Sequence, residues 1–293
     1  MVIAIALQGL QAQDLRERNY YFETLNPGHE PKPQVEGYAT ERIAEHLTRG
    51  LIATPSPDGN GIHLSWRLLN ADPDEVSFHV HRVADGKQKR LTRKAIREVC
   101  DYTDHTPSDK PMSYWVTAHD AKGKVIDTSE KLTVDKSLLT HYRSVKLRDP
   151  KMRVGKVAVA DLNGDGIYDY IVRTPDSNVD PGMPGTLDGR TYQIEAYLSD
   201  GTFLWSKDLG QGIEPGVWYS PFIAYDFNGD GKAEVALKTA PETTKRNDKG
   251  RVDSGEEYLS VWDGMTGKEI ARVDWPERND RYGNLVRQNR NQI

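Results

Sequence analysis

The sequence predicts an all-β chain in two unlike parts. Three observations lead there: a short acidic loop written twice, runs of alternating apolar residues bounded by turn signals in the first half, and a 65-residue spacing between matching landmarks in the second.

At 293 residues the chain has room for one large or two ordinary domains with sizeable cores. Its 39 Lys+Arg against 44 Asp+Glu give a net charge of −5, with no basic stripe that would suggest nucleic acid. The single cysteine, Cys100, excludes an intramolecular disulfide framework, so stability outside a cell would come from bound cations and packing. Residues 1–13 hold the apolar run Val2–Leu7 and the small-residue stretch Leu10-Gln-Ala-Gln13. They are read as the remnant of a secretory signal peptide without its basic front, too short to span a bilayer, which makes the protein secreted or periplasmic. Residues 14–40, with prolines at 27, 31 and 33, are read as a linker.

Residues 41–147 form the first module. Ile62, Leu64 and Trp66 alternate on one strand face, Val76, Phe78 and Val80 on another, and Tyr114–Ala118 repeats the habit. Turn signals separate them at Pro57-Asp-Gly59, Asp85-Gly86 and Lys122-Gly123. Short strands at such spacing predict a fibronectin III-like or immunoglobulin-like β-sandwich. Trp66 and Tyr114 are its expected core aromatics, Trp66 being read as core rather than as a sugar platform. His63, His79, His81, His105, His119 and His141 show no metal-ligand spacing, and His79 and His81 are read as surface or core residues of the sandwich.

Residues 148–293 carry the repeat. Asp161-Leu-Asn-Gly-Asp-Gly-Ile-Tyr-Asp169 and Asp226-Phe-Asn-Gly-Asp-Gly-Lys-Ala-Glu234 both read D-x-N-x-D-G-x-x-[DE]. Oxygen-bearing side chains at positions 1, 3, 5 and 9, with Gly at 6 for a sharp turn, wrap a hard cation of Ca²⁺ size. Asp161, Asn163, Asp165 and Asp169 form one expected set, and Asp226, Asn228, Asp230 and Glu234 the other, each completed by a backbone carbonyl, Ile167 or Lys232. EF-hands are excluded, because position 12 is Val172 or Leu237 instead of a bidentate Glu and the flanks are strand-like. Tyr192–Leu198, a turn at Ser199-Asp-Gly201 and Thr202–Trp205 are echoed by Tyr258–Trp262, a turn from Asp263 to Gly267 and Lys268–Val273. Each unit thus reads strand, loop, strand, excursion, hairpin. Four strands in series make the blade of a β-propeller. A ring closes at about four to eight blades, so two leave it incomplete, and further blades or a second chain would have to close it.

The stretch Val157–Val172 with Asp176-Ser-Asn178, then Ala196–Trp205, Asp208-Leu-Gly210, Tyr225–Thr239, Gly255–Gly267 and Tyr282-Gly-Asn284, resembles polysaccharide lyase family 11, the rhamnogalacturonan lyases. Leu47-Thr-Arg-Gly-Leu51, Ser65-Trp-Arg-Leu68 and Thr140-His-Tyr142 extend the resemblance to roughly residues 41–293. It implies a small β-rich domain before an eight-bladed, calcium-laden propeller, secreted and acting on pectic rhamnogalacturonan I. The bond between rhamnose and galacturonate is cut by β-elimination, which asks for a cation on the uronate carboxylate, a base for the C5 proton and an acid for the departing oxygen.

The same resemblance places the family's base and carboxylate clamp in later blades, beyond residue 293, so this chain alone is expected to be inactive. Asn178 matches a family Asn and is the candidate sugar contact; an Asn holding a turn through its own backbone is the other reading. Lys238 and Arg173 are cations at matching strand positions, to be weighed against solvated or carboxylate-paired residues. Trp218-Tyr219 is read as packing between blades rather than as a stacking platform. A different class also fits the loops: a non-catalytic, calcium-stabilised propeller adhesin or carbohydrate-binding module. A dockerin fits less well, since its loops are closer together and lead into helices.

Overall fold

A computed structural model describes residues 44–176, 189–216, 219–248 and 250–275. The leader and linker readings (1–40), Asn178 and Trp218 lie outside the described residues. The described part is all-β, built of antiparallel pairs with one 3₁₀ turn at Lys136–Leu138.

The first part holds eight strands: β1 (Ile52–Pro55), β2 (Ile62–Ser65), β3 (Ser77–Ala84), β4 (Lys87–Arg90), β5 (Asp101–Asp104), β6 (Met112–His119), β7 (Val125–Thr128) and β8 (Leu132–Val134). One sheet is ordered β1-β2-β5, the other β4-β3-β6-β7 with β8 pairing the first residues of β6. The alternation in the sequence decides which way each strand faces. Ile62, Leu64 and Trp66 meet Val76, Phe78, Val80 and the inward residues of β6 in one core. Trp66, 6% exposed, packs edge-on to Phe78 at 5.5 Å between centroids, so it is core. Tyr114 is fully buried and donates from its hydroxyl to Asp104 Oδ2 at 2.8 Å. At the β3–β4 hairpin Asp85 (φ 51°) and Gly86 (φ 71°) both take the left-handed conformation, the geometry that favours an Asp-Gly pair in a two-residue turn.

The second part repeats itself. β9 (Lys156–Ala160), β10 (Asp169–Thr174), β11 (Gln193–Tyr197) and β12 (Phe203–Asp208) form a four-stranded meander. β13 (Phe222–Tyr225), β14 (Glu234–Thr239), β15 (Tyr258–Asp263) and β16 (Glu269–Asp274) form the next, in the same up-and-down order. The register shifts fall at Ala196/Tyr197 and Val261/Trp262, 65 residues apart like the loops. The two sheets share one core, with Ile171, Ile194, Ala196 and Trp205 from the first and Ala233, Val235, Leu237 and Trp262 from or beside the second. Trp205 crosses the junction: its ring stands edge-on to Trp262 at 6.0 Å, and its Nε1–H donates to Gly264 O at 2.8 Å.

Candidate metal centres and buried cations

Each acidic loop joins the first two strands of its sheet, β9 to β10 and β13 to β14. In the first, Asp161 Oδ1 accepts from the amides of Gly164 (2.7 Å) and Asp165 (3.1 Å), and Oδ2 from Gly166 (2.6 Å). Asn163 Oδ1 accepts from Asp165 N, and Asp165 Oδ1 from Ile167 N. Asp169 closes the loop by accepting from Leu162 N and reaching Ser199 N in the β11–β12 turn. Gly164 and Gly166, at φ 81° and 79°, supply the left-handed turns.

The second loop repeats these bonds. Asp226 accepts from Gly229, Asp230 and Gly231, Asn228 from Asp230, and Asp230 from Lys232. The longer Glu234 accepts from Phe227 N and, through its other oxygen, from Asn228 Nδ2.

The donor set fits a hard cation in kind: three carboxylates, one amide oxygen and a carbonyl per loop. Like charges also crowd there. Burial raises the pKa of Asp169, with Asp165 and Asp161 adding to it, and burial raises that of Glu234, with Asp230 and Asp226 adding. The expected convergence is not drawn tight, however. Among the described residues no three His, Cys, Asp or Glu side chains are gathered closely enough to hold a metal ion, and the loop carboxylates accept from backbone amides.

Residues outside the motif hold the first loop in place. Gly166 O accepts from Thr48 N (3.2 Å), Thr48 Oγ1 (3.1 Å) and Arg67 Nη1 (2.8 Å). The Arg67 guanidinium lies 4.5 Å from the centre of the Tyr168 ring. Thr48 and Arg67 belong to the stretches Leu47–Leu51 and Ser65–Leu68, whose role the loop spacing could not reveal. Their neighbour Arg49, 3% exposed, forks onto Asp72 with 2.5 Å bonds and reaches Asp127 at 2.6 Å, tying three segments of the first part together.

The two strand cations are neither solvated nor alike. Lys238 is 1% exposed and pairs with Glu257 at 2.6 Å, its Nζ also lying 5.2 Å from the centre of the Trp275 ring. Arg173 is fully buried, donates to Ser220 Oγ at 2.7 Å and stacks 4.2 Å from the centre of the Tyr192 ring. Beside it Lys156 reaches Ser220 O at 3.3 Å, and burial together with Arg173 pushes its pKa down to about 8. Tyr219 is 1% exposed, in keeping with packing.

Residues 42–134 match the β-sheet domain of rhamnogalacturonan I lyases, and residues 148–287 match the C-terminal domain of rhamnogalacturonan lyase family 11. The chain is 36% identical over 276 residues to the rhamnogalacturonan exolyase YesX of Bacillus subtilis (84% of this chain, 43% of the relative). It is 36% identical over 285 residues to the endolyase YesW of the same organism (86% and 44%). The crystal structure of YesX superposes with a TM-score of 0.68 at 36% identity, covering 83% of this chain and 43% of that one. A Bacillus licheniformis rhamnogalacturonan lyase gives the same score and identity, with 83% and 45% covered. The chain therefore spans less than half the length of the relatives it matches. With both halves matched in order, and relatives of one activity aligned along most of its length, the chain belongs to rhamnogalacturonan lyase family 11.

Proposed function

We propose that this chain works as part of a secreted or periplasmic rhamnogalacturonan lyase, cleaving rhamnose–galacturonate bonds of rhamnogalacturonan I by β-elimination. The observation that carries the reading is the family match in both halves, with the acidic loop recurring at the same place in two consecutive sheets. In this reading the first part is a fibronectin III-like sandwich and the two meanders are the first blades of a propeller. Exposed Val157 and Val159 on β9 and Ile223 on β13 support it, since they lie on the sheet faces turned away from the shared core, where neighbouring blades of a ring would pack. Asp161, Asn163, Asp165, Asp169 and the Ile167 carbonyl would hold one Ca²⁺, and Asp226, Asn228, Asp230, Glu234 and the Lys232 carbonyl a second. Bound there, calcium supplies positive charge that relieves the crowding of the loop carboxylates.

The described residues stabilise and position rather than react. Lys238 is neutralised by Glu257 and Arg173 is packed under Tyr192, so neither is placed to clamp a polymer's carboxylate. In this reading the groups acting on the C5 proton lie outside the described residues. The test is to express the longer protein and follow the ultraviolet absorbance of unsaturated uronate ends with rhamnogalacturonan I as substrate. No rise at any calcium concentration would refute the lyase reading.

A further inference from the structure

Between Gly86 and Glu98 the chain carries Lys87, Lys89, Arg90, Arg93, Lys94 and Arg97 and no acidic residue, in a protein of net charge −5. The fold lays this segment along one sheet edge. β4 pairs Lys87–Arg90 against His81–Ala84, and the chain then rejoins β3 through reciprocal backbone bonds between Phe78 and Ile96. The cations are thus strung beside β3 from Ala84 to Phe78, a track of about 20 Å at roughly 3.3 Å per residue. All six are exposed. Arg97 donates to Glu75 O, while Lys87, Lys89, Arg90, Arg93 and Lys94 form no ion pair among the described residues.

The outer face next to this edge is rich in polar ring and hydroxyl groups. His81 stacks on Trp115 at 5.1 Å and 9°, and Thr117 Oγ1 bridges His81 Nε2 (3.1 Å) and His119 Nε2 (2.9 Å). Lysines on an edge strand are also the ordinary protection against edge-to-edge pairing. That accounts for the cations of β4. It does not account for Arg93 and Lys94, which follow the strand, nor for the lack of any carboxylate along the segment.

We infer that this edge and the adjoining face are a docking track for an acidic polysaccharide, separate from the acidic loops and from any catalytic groups. A polymer with carboxylates recurring along its length meets a row of unpaired cations, and its hydroxyls meet imidazole and threonine groups. The choice of a polyuronate as occupant rests on the lyase reading; the row of cations does not.

The test uses the chain and its variant K87Q/K89Q/R90Q/R93Q/K94Q in affinity electrophoresis. The probes are rhamnogalacturonan I, de-esterified polygalacturonate, neutral galactan and duplex DNA, each at two salt concentrations. The two uronate polymers should retard the wild type and galactan should not. The variant, with unchanged melting temperature, should bind about tenfold more weakly, a change of about 1.4 kcal/mol, and the difference should shrink as salt rises. Equal binding by variant and wild type, no binding by either, or DNA held as tightly as the uronate polymers would overturn the proposal. Cleavage of rhamnogalacturonan I by the longer protein is scored separately, so the track and the lyase reading fail independently.

Discussion

The amide of Ala233 donates a 2.7 Å hydrogen bond to the carbonyl of Asp161, so the first residue of one acidic loop is bonded to the eighth residue of the next. Their backbones also touch elsewhere: a β-carbon built on Gly164 would sit 3.2 Å from Gly231 O. Two loops joined this way should respond to metal as a pair. Chelation is expected to lower the melting temperature and added Ca²⁺ to restore it, because an ion that binds only the folded loops stabilises the fold by mass action. Asp165→Ala and Asp230→Ala should each remove one ion by elemental analysis, and each should weaken the remaining site. Equal metal content in wild type and both variants would defeat the calcium assignment.

The grip on Gly166 O gives a second expectation. Arg67 donates there and to Thr48 O, and its guanidinium covers Tyr168. Hydrogen bonds from a charged donor contribute about 1.5–3 kcal/mol. Arg67→Met, which keeps the stem and removes the donors, should therefore destabilise the chain by about 2 kcal/mol in denaturant unfolding. A midpoint unchanged within error would mean that the first loop does not depend on the first part of the chain.

This grip also marks the boundary of what could be read from the sequence. The acidic loops were legible because their nine positions are local, and the strands because apolar alternation repeats every second residue. An acceptor such as Gly166 O has no side chain to advertise it, and its partner Thr48 lies 118 residues away. The strand cations were legible as positions but not as environments. Of the two readings of Lys238 the carboxylate-paired one holds: its partner Glu257 lies just ahead of β15, and both are buried. The carboxylates were legible as a set, but not that Asp161 and Asp226 each accept from three amides of their own loop. The overall charge of −5 likewise concealed the run of cations from Lys87 to Arg97, contiguous in the sequence, and what the sequence did not show is that the fold lays it along the edge of β3.

The Lys238–Glu257 pair can be examined by a double-mutant cycle. Breaking a buried pair by removing one partner costs about 3–5 kcal/mol, because the other charge stays buried without compensation. Lys238→Met should fall in that range. The double variant Lys238→Met/Glu257→Gln should recover a large part of the loss, since no charge then remains. A double variant as unstable as the sum of the singles would show that the two side chains act independently.

Stability should also fall on mild acidification. Burial lowers the pKa of His79 and His81 below the ordinary 6.5, with Arg90 and the neighbouring His119 adding in the same direction. The unfolded chain then binds protons that the folded chain refuses, so stability is lost as pH falls through about 6.5 toward the folded values. His79→Gln/His81→Gln should flatten the dependence of melting temperature on pH between 7 and 5. An unaltered slope would assign the acid sensitivity to other groups.

The last expectation is that these 293 residues by themselves do not cleave rhamnogalacturonan I. Elimination requires the uronate carboxylate to be neutralised while a base removes the C5 proton, and both groups must be held against the same sugar ring. The described residues offer parts of this but not the arrangement. Lys156, with its pKa near 8, has the basicity of a proton acceptor at neutral pH, yet it lies against Arg173 and Ser220 and is lowered by burial. Lys238 is spent on Glu257. The relatives this chain matches are more than twice as long as the matched region, and in the proposed reading the groups that act on the sugar correspond to the part of them that it does not span. The purified chain incubated with rhamnogalacturonan I and Ca²⁺ should show no rise in unsaturated-uronate absorbance. A steady rise abolished by Lys156→Gln, in a variant that keeps its melting temperature, would place the base in the first meander and overturn the division of labour argued above.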